Sequence, residues 1–144
     1  MTTAQARNAI QHPKRIEFIH NLVIGGGDLT NDDYINLSKI KTSCFHSFGM
    51  TETISHIALR PIKTGIKNEY YECLNHVQIG NNNEKQLVIS SKKLGIKSIT
   101  TNDIVEITEN QLFKYIGRRD NIINSGGLKI HCELIEKTLS QHLN

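Results

Sequence analysis

Apolar and polar positions follow two regimes along the chain, and the change falls near residue 55. Thr3 to about Gln11 has the spacing of a short helix under a Thr cap, and Pro13 ends it. Phe18 to Ile24 reads as a buried strand that runs into Gly25-Gly26-Gly27. Thr30-Asn31-Asp32-Asp33 reads as a helix start, with acidic residues where the positive end of the helix dipole favours them. Ile35, Leu37 and Ile40 are expected to supply a modest apolar face to that helix. Ser43 to Phe48 is a second short strand. Strand, glycine loop, helix and strand in this order describe one βαβ unit of a parallel sheet.

The second regime is a series of short β-type runs at 57–60, 70–74, 86–90, 103–107 and 111–116, with turn residues between them. Glu109-Asn110 predicts a hairpin between the last two. Gly80-Asn81-Asn82-Asn83 reads as a surface loop. Residues 117–120 form a charged turn, 121–124 a brief strand and 125–127 another turn. Cys132 to Leu143 then reads as an amphipathic helix, with Ile135, Leu139 and Leu143 on one face. No internal repeat is visible.

Composition narrows the class. With 144 residues, 38% hydrophobic and 22% charged, the chain is neither disordered nor a coiled coil. A net charge of +3 is too small to argue for nucleic acid. There is no apolar run of about 18 residues, so no membrane-spanning helix is expected, and the first 20 residues lack a secretory signal's apolar stretch. Three cysteines at long spacings, Cys44, Cys73 and Cys132, imply neither a disulfide framework nor a zinc knuckle. A reducing cytoplasm is the expected setting.

Three constellations carry candidate chemistry. Five of the ten glycines lie in two clusters, Gly25-Gly26-Gly27 and Gly126-Gly127. Such a run between strand and helix lets backbone approach a ligand, and equally serves a turn that needs positive φ. It is not a Walker loop, since no Gly-Lys-Ser/Thr follows. In Phe48-Gly49-Met50-Thr51-Glu52-Thr53 an aromatic face can stack on a purine, a hydroxyl can donate to phosphate and a carboxylate can hold Mg²⁺. The plain alternative is a polar turn. Asp103 in Thr101-Asn102-Asp103 can accept from ribose hydroxyls, and Arg118 can donate to sugar or phosphate. The alternative there is a turn Asp and a surface Arg. The seven histidines show no metal-binding pair on a helix. Cys44 and His46 share a strand face, as ligands or simply through packing.

In this order the pieces resemble the adenylate-forming ligase superfamily of acyl-CoA synthetases. Gly25-Gly26-Gly27-x-Leu29 resembles its Gly-Gly-x-x-Leu loop, and FGMTET at 48–53 its Tyr-Gly-x-Thr-Glu signature with Phe for Tyr. GRRDNIINSGG at 117–127, with Ile135-Glu136 after it, resembles the crossover into the small C-terminal domain. The match spans about residues 18 to 142. Within the superfamily, GRRDNIINSGG and MTETISHIAL are most similar to the o-succinylbenzoate–CoA ligases of menaquinone synthesis.

The resemblance implies a mixed α/β fold. Residues 1–117 would be the end of the large AMP-binding domain, and residues 118–144 the opening of a small α+β lid. It implies ATP and CoA as substrates beside a small carboxylic acid, with Mg²⁺ as the metal. Thr51 would contact the α-phosphate and Glu52 the Mg²⁺. Phe48 would pack on adenine beside Gly49, with Gly26 and Gly27 at the ring's edge. Asp103 and Arg118 would hold the ribose, and Asp120 would be the hinge of the small domain. Ser125, Gly126 and Gly127 would approach the pantetheine arm. The family's Ser/Thr/Gly-rich phosphate loop and its C-terminal Lys find no counterpart here. Asn102 stands where Gly is usual, Asn124 where Lys is frequent, and His131-Cys132 where a Pro is common. The chain is therefore expected to be an internal fragment of an acid–CoA ligase, with exposed strand surface and a tendency to self-associate. The alternatives are a non-catalytic nucleotide-binding remnant, or a ligase for another fatty or aromatic acid.

Overall fold

The computed structural model describes residues 1–65, 68–125 and 128–142. Two compact units divide at Leu74/Asn75. The mixed α/β class expected from the sequence is the class observed, with mostly antiparallel strands.

The first unit opens with α1 (Thr3–Gln11), whose N-cap Thr2 and Gln5 satisfy each other's backbone amides. Strand β1 (Asn21–Ile24) leads through the glycine loop to α2 (Asn31–Ser38) and then β2 (Ser43–Gly49). β1 pairs parallel with β2, so the βαβ unit forms as its pattern predicts. Thr30 caps α2 in a capping box with Asp33, and the Arg7 guanidinium joins that carboxylate at 3.0 Å. β2 then pairs antiparallel with β3 (His56–Ile62), and β3 with β4 (Tyr71–Cys73). Ala6, Ala9, Ile16, Leu22, Ile24, Leu29, Leu37, Cys44 and Ile62 form its core.

Two expectations are corrected here. β1 is shorter than 18–24, because a 3-10 turn at Pro13–Arg15 and the bend after it consume the approach. Phe18 is left 78% exposed while Ile16 is buried. In α2, Ile35 and Leu37 cannot share a face, being two residues and about 200° apart. Leu37 is buried together with Asp33, one turn earlier, and Ile35 is 52% exposed.

The second unit is an antiparallel meander of β5 (Gln78–Asn81), β6 (Gln86–Ser91), β7 (Ile96–Ile107) and β8 (Leu112–Arg118). Val77, Ile79, Leu87, Ile89, Ile104, Val105 and Phe113 are its buried apolar residues. The expected β7–β8 hairpin closes through Thr108 and Gln111, with Gln111 in the left-handed region at φ 58°. β7 is longer than expected, reaching back to Ile96. Half of the supposed surface loop is strand: Gly80 and Asn81 pair with Val88 and Leu87. After a 3-10 turn at Arg119–Asn121 come β9 (Ile122–Ser125), an unforeseen antiparallel partner β10 (Leu128–His131), and α3 (Cys132–His142). Ile135 and Leu139 of α3 lie beside Leu128 on an apolar, largely exposed face. Leu143 lies outside the described residues.

Candidate functional site

In the first unit the glycine loop leaves the end of β1. Gly26 holds φ at 77°, where a side chain would be strained. The next carbonyl, that of Gly27, accepts from Nε2 of His46 on β2 at 3.0 Å.

Phe48 and Gly49 end β2 at a register shift against β3. At Gly49 a Cβ would lie 2.6 Å from both His56 Cα and the Ser55 carbonyl, so only glycine fits. Thr51, Glu52 and Thr53 then form a 3-10 turn, with Thr51 and Glu52 exposed and Thr53 fully buried. The Thr53 hydroxyl accepts from the Met50 amide at 3.2 Å. It lies within donating distance of the Met50 and Ser55 carbonyls, at 2.9 and 2.8 Å. Ile54 follows at φ 66°, ψ −38°, spanned by a Ser55 N–H bond to the Thr53 carbonyl. That is a γ-turn, a strained conformation, on a β-branched residue 81% exposed. Buried Thr53 thus anchors a tight turn that presents the hydroxyl-bearing Thr51 and the carboxylate of Glu52 to solvent.

Sequence reasoning missed a polar cluster in the same unit. His46, 3% exposed, places Nδ1 2.7 Å from the Tyr34 hydroxyl, 2.9 Å from the Tyr71 hydroxyl and 3.0 Å from Arg60 Nη2. The Arg60 guanidinium lies 4.6 Å from the centres of both the Tyr34 and Tyr71 rings. The Tyr71 ring packs on Phe48 at 5.6 Å. Burial holds the His46 imidazole below its usual pKa, against the opposing pull of the Gly27 carbonyl and Asp28. Burial likewise pushes the Tyr71 hydroxyl up to about 12, with Arg60 pulling the other way. Of the two residues sharing the β2 face, Cys44 belongs to the core and His46 to this polar cluster. Strand alternation was the one signal for His46. Nothing local marks Tyr34, Arg60 or Tyr71, which come from three other elements.

In the second unit Asp103 on β7 stands opposite Arg118 on β8. The Asp103 residue is buried, and its Oδ1 lies 3.5 Å from Arg118 Nη1. Arg118 also donates through Nε and Nη2 to the two oxygens of Asp120, each at 3.0 Å. The Arg118 side-chain bond and charge hold the Asp120 carboxyl below the usual carboxylate range, outweighing its slight desolvation. Glu133, at the start of α3, accepts from the Arg118 amide at 3.1 Å and from Asn121 Nδ2 at 2.8 Å. It thereby bonds to both ends of the charged turn, a role the sequence did not signal. Arg119 pairs with Glu84 at 3.0 Å. Ser125 ends β9, and Gly126 and Gly127 lie outside the described residues.

Among the described residues no group of three His, Cys, Asp or Glu is placed to hold a metal. Mg²⁺ does not require one. It commonly takes one or two carboxylates together with substrate phosphates and waters, and exposed Glu52 beside Thr51 suits that donor set.

No family model matches the chain, and no curated protein matches it. Solved structures do. One is the acyl-CoA synthetase (AMP-forming)/AMP-acid ligase II-like protein from Dyadobacter fermentans. It is 31% identical, with a TM-score of 0.77 over 100% of this chain and 43% of that one. The unliganded O-succinylbenzoate coenzyme A synthetase from Bacillus subtilis is 18% identical, with a TM-score of 0.83 over 99% of this chain and 37% of that one. Klebsiella oxytoca NpsA in complex with 3-hydroxyanthranilyl-AMSN is 16% identical, with a TM-score of 0.82 over 99% and 37%. The chain spans less than half the length of each of these proteins. Its fold is that of a segment of the AMP-forming acyl-CoA synthetases.

Proposed function

We propose that the chain is part of an AMP-forming acid–CoA ligase, most like the o-succinylbenzoate–CoA ligases of menaquinone synthesis, working in the cytoplasm. A carboxylate oxygen attacks the α-phosphorus of ATP and pyrophosphate leaves. The thiol sulfur of CoA then attacks the acyl carbon and AMP leaves. The large domain ends at residue 117 and the lid opens at 118.

In the first unit Thr51 donates to the α-phosphate and Glu52 is the carboxylate for Mg²⁺, which when bound neutralises phosphate charge. Phe48 packs on adenine beside Gly49, with the Gly26-Gly27 backbone at its edge. In the second unit Asp103 accepts from the ribose hydroxyls and Arg118 donates to them. Asp120 is the hinge of the lid, and Ser125-Gly126-Gly127 approaches the pantetheine arm. These residues bind and orient, and positioning supplies most of what such a site gives the reaction.

The observation that carries this reading is buried Asp103 opposite Arg118, with Asp120 on the same guanidinium. A carboxylate with paired acceptors beside a fork of donors suits a vicinal diol. Calorimetric titration of AMP and of 2′,3′-dideoxy-AMP into the chain tests it. Binding of AMP that weakens sharply in the dideoxy analogue is the expected result, and no binding of AMP overturns the reading. The TM-scores to the B. subtilis synthetase and to NpsA differ by only 0.01, 0.83 against 0.82, so fold does not choose the acid. Pyrophosphate release across a panel of aromatic, fatty and o-succinylbenzoic acids, in the ligase that contains this chain, chooses it.

A further inference from the structure

We propose that His46 is a positioning residue, which sets the Gly25–Gly27 loop against Phe48 as a neutral imidazole protonated only at Nε2. Two partners with opposite demands fix that form. The Gly27 carbonyl 3.0 Å from Nε2 can only accept, so Nε2 carries the proton. Arg60 Nη2, 3.0 Å from Nδ1, can only donate, so Nδ1 is bare. The charged and titratable groups around the ring are Arg60 on β3, Tyr34 on α2, Tyr71 on β4 and Asp28 beside the loop. A second proton would set an imidazolium against the Arg60 cation in a buried site.

The contacts run in series. Gly27 is held by His46, His46 Nδ1 meets the Tyr71 hydroxyl at 2.9 Å, and the Tyr71 ring packs on Phe48 at 5.6 Å. The loop and the aromatic residue are thus tied by one imidazole on β2. The role is one of positioning, since His46 is buried and its ring nitrogens face Gly27, Tyr34, Arg60 and Tyr71. Only the binding arm of the test rests on the nucleotide reading.

Long-range ¹H–¹⁵N correlation on the labelled chain reports the tautomer directly. The expected signal is Nε2–H, and Nδ1–H or a doubly protonated ring at pH 7 overturns the proposal. In His46→Leu the amides of Gly26, Gly27 and Asp28 should exchange about tenfold faster, with those of β6 and β7 unchanged. His46→Gln, whose amide can donate where Nε2 does, should stay within about threefold of the original chain. AMP affinity should follow the same order, falling about tenfold in His46→Leu and no more than about threefold in His46→Gln. Equal effects in the two variants would reduce His46 to packing and overturn the proposal. If the unaltered chain binds no AMP, the nucleotide reading fails, and the tautomer and exchange arms decide His46 by themselves. If His46→Leu does not fold, the tautomer and the glutamine variant decide it.

Discussion

Gly49 and His56 meet backbone to backbone across the bulge that ends β2, with no room for a methyl group between them. A Cβ on residue 49 would lie 2.6 Å from His56 Cα and 2.9 Å from His56 N. Neither neighbour is a side-chain end that can swing aside. Gly49→Ala should therefore destabilise the chain by about 1–3 kcal/mol, the usual cost of overpacking. A urea midpoint unchanged from the parent would show that the two strands separate more easily than this contact implies.

Asp103→Ala tests the ribose contact. An ionised carboxylate that accepts from two hydroxyls makes charge-assisted bonds, and water refilling the gap offsets part of them. A net loss of about 2 kcal/mol, roughly 30-fold in ATP affinity, is expected. The loss should be smaller for 2′,3′-dideoxy-ATP, which offers no hydroxyl. Equal losses for the two nucleotides by calorimetry would make Asp103 a purely structural residue.

Ile54 offers a gain in stability. Its γ-turn conformation strains a β-branched side chain that is almost wholly in water, so little packing is lost with it. Ile54→Gly should stabilise the chain by up to about 1 kcal/mol, relief of strain exceeding the added freedom of the unfolded chain. A lower melting temperature in the variant would contradict the strain.

Asp33 should make stability fall in acid. Burial alone would raise its pKa, but the Arg7 bond and the Thr30 amide and hydroxyl outweigh that, and the carboxyl sits below its ordinary value of 3.8. A depressed pKa contributes stability above the unfolded value and loses it as pH falls through the folded one. Asp33→Asn should thus be less stable by about 1 kcal/mol near neutral pH. The gap should hold down to about pH 5, shrink below the ordinary value, and close beneath the lowered native pKa. Urea midpoints across that range measure it; a gap that widens in acid would reverse the assignment.

Activity provides a fifth test. Residues 1–144 contain no Ser/Thr/Gly-rich phosphate loop of the kind the resemblance calls for. By itself this chain should release no pyrophosphate from ATP with o-succinylbenzoate. Release above a protein-free blank would overturn that expectation.

The helices and the βαβ unit were legible because their signals are local. Thr2 and Thr30 announce capped starts, and the apolar run of β1 precedes its glycines. β5 was hidden because Gly80 and Asn81 have turn chemistry. They are strand only because the backbone of Leu87 and Val88 pairs with theirs. β10 has four residues and depends on β9 for its ladder. Asp103 and Arg118 were each visible as candidates, but not that Asp120 would grip the same guanidinium at two points. The His46 cluster was least legible. Its partners lie 12 to 25 residues away, and no pattern in the intervening sequence foretells their convergence.

Arg118 reaches two carboxylates at once, Asp120 through Nε and Nη2 and Asp103 through Nη1. A planar fork manages this because its donors diverge at fixed angles, whereas an ammonium group is a single point that must stand near one acid or the other. Lysine and arginine are therefore not synonyms at residue 118. A comparison of sequences that scores them as equivalent would pass over a change that leaves one of the two acids without its cation.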